Sequence, residues 1–258
     1  MYRSKNFRVR KLDEILKDIE ICKSSEQVPE KIFLCDGDAL GAPMEILEPT
    51  LMALKKAFPQ VRSIGIYATA ENILQKSKSD LLRLNELGLS IAYLGLESGD
   101  NKILHMVVKG NTSEEMIEAS LKIKSCHIKL STIVMLGIGG KKLSDDHQKE
   151  TAKVLSQTCP HYLSFLTTFA VPGTPYAKMV ERELIMPLTT KELFKEMHHI
   201  ISSTSFSDNR VIFRANHVSN QFPIGGTLPK DQKVLSAFLE QAYQECPEGI
   251  YPTAPNQM

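Results

Sequence analysis

Three short groups of residues in this chain could do chemistry. Asp36-Gly37-Asp38 sets two carboxylates around a glycine. Glycine lets a backbone approach a ligand closely, and carboxylates beside open carbonyls can hold an ammonium group. A plain acidic turn is the competing reading. Glu97-Ser98-Gly99 ends the apolar run Y-L-G-L-E with a carboxylate and a hydroxyl, which suit ribose or amine hydrogen bonds. A glutamate in such a run is costly to bury without a partner, which favours a functional role. Gly137-Ile138-Gly139-Gly140 follows another apolar run. Its spacing is neither that of a dinucleotide fingerprint nor that of a P-loop, but its glycines allow a flat group such as an adenine to lie on the backbone.

Further along, Val171-Pro172-Gly173-Thr174-Pro175 also reads as a proline-bracketed turn, with Pro175 near the first position of a helix. The stretch from Phe213 to Asn220 is dense in hydrogen-bonding side chains and is followed by Pro223-Ile224-Gly225-Gly226-Thr227. It is expected to be a substrate-facing lid, with Arg214, Asn216, His217 and Asn220 as its candidates. His147 stands alone on a helix and reads as structural before it reads as a ligand. His105, His198 and His199 lack spaced partners, so no zinc site is expected.

The elements that must position these residues alternate in type. Strands are expected over Lys31–Cys35, Ser63–Tyr67, Leu89–Leu96, Ile128–Leu136, Tyr162–Ala170 and Val211–Arg214. Helical segments lie between them, and a closing helix runs over Lys230–Gln244. Nearly continuous apolar strands joined by helices are the pattern of a parallel sheet covered on its faces. In such folds ligands bind beyond the carboxyl ends of the strands, where all the groups above fall. The expected fold class is α/β, either a partial barrel or an open doubly wound sheet. The chain opens on a helix, Leu12–Ile21, where a βα repeat would open on a strand, so the expectation is a sheet missing its first strand. Residues 1–228 are expected to form the main domain, and 229–258 a closing helix with a frayed tail.

The bulk numbers narrow the classes. The chain has 258 residues, 42% of them hydrophobic and 24% charged, enough for a sizeable core. A net charge of +1 gives no global field toward nucleic acid or a membrane. Arg3, Lys5, Arg8 and Arg10 make the start locally basic, either as a solvated arm or as an anion-facing segment. No apolar run nears the roughly 18 residues of a membrane span, and no signal pattern opens the chain, so a cytoplasmic location is expected. The five cysteines are scattered and suggest neither a disulfide framework nor a metal knuckle.

Together these pieces resemble the radical S-adenosylmethionine superfamily, in the branch of oxygen-independent coproporphyrinogen oxidase and the elongator-type catalytic subunits. The resemblance rests on I-F-L-C-D-G-D-A-L, Y-L-G-L-E-S-G-D, T-I-V-M-L-G-I-G-G, H-Q-K-E-T-A and V-P-G-T-P, in that order. It extends to about Ala242, and the stretch F-R-A-N-H-V-S-N-Q-F-P-I-G-G-T-L-P looks like that of an uncharacterised subgroup. The resemblance implies a partial (βα)6 TIM-like barrel of parallel strands. It also implies S-adenosylmethionine and a 4Fe-4S cluster as cofactors, with reductive cleavage to a 5′-deoxyadenosyl radical that abstracts hydrogen from a small-molecule or other unknown substrate. A flavodoxin or ferredoxin would be the electron donor of an active form.

By the same resemblance, Asp36, Gly37 and Asp38 receive the methionyl amino group. Glu97 and Ser98 contact ribose or the methionyl end, and Met135, Leu136, Gly137 and Val171 contact adenine. The family's Cys-x3-Cys-x2-Cys run is absent from this sequence. In the resembled subgroup a Met-Tyr-Arg/Lys stretch follows the last cluster cysteine by a few residues, and here it is Met1-Tyr2-Arg3. The expectation is a chain that starts just past the cluster loop, is truncated and is inactive as written. The rival is a non-redox remnant that binds S-adenosylmethionine, a small molecule or a protein partner.

Overall fold

A computed structural model describes residues 8–25, 28–35, 37–207 and 210–254. Met1, Tyr2, Arg3, Lys5 and Asp36 lie outside the described residues. The strands follow chain order in a seven-stranded sheet, β1-β2-β3-β4-β5-β6-β7. They are β1 (Lys31–Leu34), β2 (Ser63–Ala68), β3 (Leu89–Glu97), β4 (Lys129–Leu136), β5 (Tyr162–Thr167), β6 (Val211–Ala215) and β7 (Ile224–Leu228). β1 with β2, β4 with β5, and β5 with β6 pair in parallel, as the nearly continuous apolar runs predict. The fold is therefore α/β with a mostly parallel sheet.

The chain divides into two compact units. Unit one comprises Met1–Tyr93 and Lys122–Lys129, and unit two comprises Leu94–Leu121 and Leu130–Met258.

In unit one, α1 (Leu12–Lys23) packs on α2 (Met44–Ala57), and α3 (Ala70–Gln75) and α4 (Lys78–Glu86) follow β2. Leu47, Leu51 and Leu54 of α2 recur at helical spacing and are buried, as are Ile64 and Ile66 of β2 and Leu81 and Leu84 of α4. Each such side chain contributes roughly 1.5–3 kcal/mol by leaving water. Arg8 pairs with Glu14 at 3.3 Å and Arg10 with Asp18 at 2.5 Å, all on the surface, so this part of the basic stretch is a solvated arm pinned to α1. Gly88 ends α4 in the left-handed region, where glycine carries no steric penalty.

Unit two contains α5 (Asn101–Met106), most of α6 (Ser113–Ser125), α7 (Gly140–Thr158), α8 (Pro175–Glu181), α9 (Thr190–Ser203) and α10 (Gln232–Glu245). α9 packs on both α7 and α10. Phe165 of β5 and Phe213 of β6 are fully buried and meet edge to face at 5.1 Å. The helix starts follow capping chemistry. Thr112 and Glu115 exchange reciprocal hydrogen bonds before α6, and Thr189 with Glu192 forms a capping box on α9.

Two features differ from the sequence reading. α5 has no counterpart in it; the helix is started by Asp100, whose carboxylate accepts the Ile103 amide at 3.0 Å. The stretch at Ile224–Leu228, read as part of a lid, is instead strand β7, antiparallel to β6. Gly225 and Gly226 hide it, because glycine weakens a strand pattern. Their bare backbones let Arg214 and Leu235 lie against the strand, where an added Cβ would come within 3.1 Å and 2.9 Å of those side chains.

Candidate functional site

In unit one the chain leaves β1 through Cys35 and turns at Gly37, with φ 92°. Asp38 then precedes a short 3-10 turn, Ala39–Gly41. One oxygen of the Asp38 carboxylate accepts from Thr69 Oγ1 at 3.1 Å and from Asn72 Nδ2. The other oxygen, Oδ1, is buried and has no partner. Burial raises the Asp38 carboxyl above the usual carboxylate range, and the bonds from Thr69 and Asn72 pull it partly back. Thr69 also caps α3 by accepting the Asn72 amide, so both donors stand on one structured turn. Beside them the Lys76 ammonium donates to the Ala42 carbonyl at 2.8 Å, and burial lowers its pKa. On the strands, Phe33, Tyr67 and Tyr93 form an edge-to-face cluster, with Phe33 4.7 Å from Tyr67 and 4.9 Å from Tyr93. Phe33 and Tyr67 keep more than a third of their surface exposed.

In unit two, β3 ends in a tight turn. The Ser98 amide donates to the Leu96 carbonyl at 2.7 Å, which puts Glu97 at φ 61°. A non-glycine residue held there is strained and persists only where its surroundings over-determine it. The Glu97 carboxylate pairs with the Lys109 ammonium at 2.9 Å, both about one-fifth exposed. Ser98 is fully buried, and its Oγ lies 2.8 Å from His147 Nδ1. Gly99 follows with its backbone against α7: an added Cβ would sit 2.3 Å from the Glu150 carbonyl oxygen. That approach, rather than ligand access, requires glycine at this position.

At the end of β4, Met135 is half-buried and Leu136 buried. Gly137 turns at φ 76°. Its amide donates to Glu196 Oε1 at 2.6 Å, and its carbonyl accepts the Tyr176 hydroxyl at 3.2 Å. An added Cβ on Gly139 would strike Ile103, and one on Gly140 would strike Ile185. The open sides of these two glycines are thus filled by the chain itself. Glu196 and His147 are both sealed from solvent, with Glu196 Oε1 3.7 Å from His147 Nε2. Burial pushes Glu196 up to about 7 and His147 down to about 3, so the imidazole is neutral. Burial, and then the Glu196 charge, push Tyr176 up to about 12.

The remaining sequence candidates also fall in unit two. Val171 is exposed, and its carbonyl accepts the Thr174 hydroxyl at 2.7 Å. Arg214 stands opposite Ser164 in the ladder, but its guanidinium donates to the carbonyls of Phe213 and Gly226. His217 accepts the Ser219 amide, and Asn220 clamps β5 by donating to the Phe165 carbonyl at 2.7 Å and accepting from Thr167 at 2.9 Å. Asn216 is exposed. Much of the lid's polarity therefore builds the lid's own turn and anchors it. Sequence reading missed Lys109, Thr69, Asn72, Tyr176 and Glu196. Glu196 sits between Leu193-Phe194 and Met197 on the apolar face of α9, and that placement was the signal that could have flagged it.

Residues 2–155 match the family profile described as "Radical SAM superfamily". The chain belongs to the radical S-adenosylmethionine superfamily. Among solved structures it is similar to an archaeal Elp3 from Methanocaldococcus infernus carrying an N-terminal deletion (TM-score 0.61, 17% identity, covering 91% of this chain and 60% of that one). It is similar also to anSMEcpe with bound AdoMet and a peptide (0.55, 12%, 77% and 53%) and to HydG, a maturase of the [FeFe]-hydrogenase (0.53, 15%, 81% and 46%). At these identities the likeness shows the fold alone. The chain spans 60% of the length of the Elp3 and 46% of that of HydG. No curated protein matches the sequence.

The two cofactors of this superfamily fit the chain differently. The unpartnered, buried oxygen of Asp38 fits an ammonium group, so S-adenosylmethionine suits the residues present. The cluster does not. The sequence has no cysteine triad, Cys22 and Cys35 are exposed, and Cys126 and Cys159 are buried. Among the described residues no three His, Cys, Asp or Glu side chains gather as metal ligands. No helix among the described residues is long and apolar enough to cross a membrane.

Proposed function

We propose that this chain is the S-adenosylmethionine-binding part of a radical S-adenosylmethionine enzyme, and that alone it holds no 4Fe-4S cluster in the family's manner. The single observation carrying this reading is Asp38 Oδ1, a buried carboxylate oxygen without a partner. In this reading Asp38 accepts the methionyl ammonium, while Thr69 and Asn72 orient the carboxylate. Glu97 and Ser98 are assigned to the ribose or methionyl end, and Met135, Leu136, Gly137 and Val171 to adenine. Since the Gly137 amide and carbonyl already have partners, that contact is one of packing more than of hydrogen bonding. Arg214, Asn216, His217 and Asn220 are the substrate-side candidates. Bound S-adenosylmethionine would supply the adenosyl group on which the family's chemistry draws, and the protein contributes binding and orientation.

Without the cluster the chain is a binder that does not cleave the cofactor. Anaerobic reconstitution with iron and sulfide, followed by metal analysis, tests this half: iron well below four atoms per chain is expected, and stoichiometric uptake would overturn it. Asp38→Asn tests the other half. Losing a charge-assisted contact should weaken S-adenosylmethionine binding by at least about tenfold. Unchanged affinity would remove Asp38 from the site.

A further inference from the structure

Glu196 is a carboxylate with no exposure to water, on the face of α9 that also buries Leu193, Phe194, Met197, Ile200 and Ile201. Its oxygens accept from the Gly137 amide at 2.6 Å and from the Ser144 hydroxyl at 2.5 Å. Gln148 in turn donates to Ser144 at 3.0 Å. Its next neighbour is His147 Nε2, which is buried and has no hydrogen-bond partner.

Ser98 Oγ accepts the Asp100 amide, and Thr151 Oγ1 accepts the Gly99 amide. Both hydroxyls also approach His147 Nδ1, at 2.8 Å and 3.3 Å, so this ring nitrogen is tied to the turn after β3 while Nε2 faces the Glu196 carboxylate. A buried chain of contacts thus runs from Gly137 through Glu196 and His147 to Ser98. It connects the carboxyl ends of β4 and β3 by way of α9 and α7.

A buried carboxylate beside a buried imidazole is costly compared with apolar residues of the same shape, so it is weak as a source of stability. What the chain does supply is position. Gly137 is held at its amide by Glu196 and at its carbonyl by Tyr176. Ser98 is the residue directly after the strained Glu97, and His147 holds its hydroxyl. Without that anchor the left-handed turn at Glu97 loses part of what over-determines it.

We propose that Glu196 and His147 are positioning residues, which hold the strand ends at Gly137 and Ser98 in the arrangement that binds S-adenosylmethionine. The inference rests on the cofactor reading above.

The test uses the full chain, with S-adenosylmethionine titrated by calorimetry and amide exchange at Gly137 and Ser98 read by NMR without ligand. His147→Asn keeps a hydrogen-bonding group at the Nδ1 position, so it should bind within about threefold of wild type. His147→Leu removes that group and should weaken binding about tenfold, the effect of one lost hydrogen bond. Glu196→Gln keeps the shape, loses the charge, and should accelerate Gly137 exchange about tenfold. It also serves as the decisive variant if His147→Leu fails to fold. Equal affinity in His147→Asn and His147→Leu, or Gly137 exchange unchanged in Glu196→Gln, would overturn the proposal. If wild type binds no S-adenosylmethionine, the cofactor reading fails and this proposal falls with it. Binding by wild type that the variants leave unchanged rejects the positioning role alone.

Discussion

Replacing Glu196 by Gln removes one buried titration and leaves its counterpart exposed to measurement. The folded chain pushes Glu196 from an ordinary 4.5 up to about 7, and His147 from 6.5 down to about 3, in both cases by burial first. The other groups facing Glu196 are Asp145 of α7, Glu192 of its own helix and Tyr176 of α8. Glu192 is offset by an ion pair with Lys141 at 3.0 Å. The signs are opposite. Glu196 has a raised pKa, so its contribution is fully present below about pH 4.5 and is lost as pH rises through about 7. His147 has a depressed pKa, so its contribution is present above about pH 6.5 and is lost as pH falls toward 3. Between pH 4.5 and 6.5 folding takes up a proton at Glu196 and releases one at His147, and the two slopes cancel. In Glu196→Gln only His147 remains. Its slope of about 1.4 kcal/mol per pH unit removes about 3 kcal/mol of stability between pH 6.5 and 4.5 relative to wild type. Urea unfolding of both proteins at several pH values and constant ionic strength measures this, and the difference between them cancels groups common to both, such as Asp38. Parallel pH curves would refute the reasoning, because they would mean that the pair does not titrate as a neutral imidazole beside a proton-sharing carboxyl.

Other perturbations have similarly direct readouts. Gly99→Ala places a methyl 2.3 Å from the Glu150 carbonyl oxygen, so β3 and α7 must separate. Chemical denaturation should show a loss of about 1–3 kcal/mol, the usual range for overpacking. Lys109→Met leaves the half-buried Glu97 carboxylate without its cation, and should cost about 1 kcal/mol in the same assay. S-adenosylmethionine affinity should fall as pH drops through the raised pKa of Asp38, whose charged neighbours are Glu71 and Lys76; in Asp38→Asn this dependence should be gone.

Much of the fold was legible because parallel strands covered by helices leave strong one-dimensional traces. The runs at Ile128–Leu136 and Tyr162–Ala170 are predominantly apolar, and Gly88, Thr112 and Thr189 mark helix ends by known capping chemistry. β7 was not legible, since two glycines erase its side-chain alternation and only its pairing with β6 defines it. Strand-end position made Asp38, Glu97, Ser98 and Gly137 candidates. The partners of these residues were not legible, because Glu196 is 59 residues from Gly137 and Thr151 is 52 from Gly99. Such contacts are made by the tertiary fold and leave no local pattern. The glycine loop shows the converse: Gly139 and Gly140 read as room for a ligand, and the room is taken by Ile103 and Ile185.

Calorimetric titration of the iron-free wild-type chain with S-adenosylmethionine decides whether this chain is a cofactor binder. Saturable one-to-one binding is expected, with the ligand recovered intact. Absence of binding heat at millimolar ligand, with the protein folded, would contradict it.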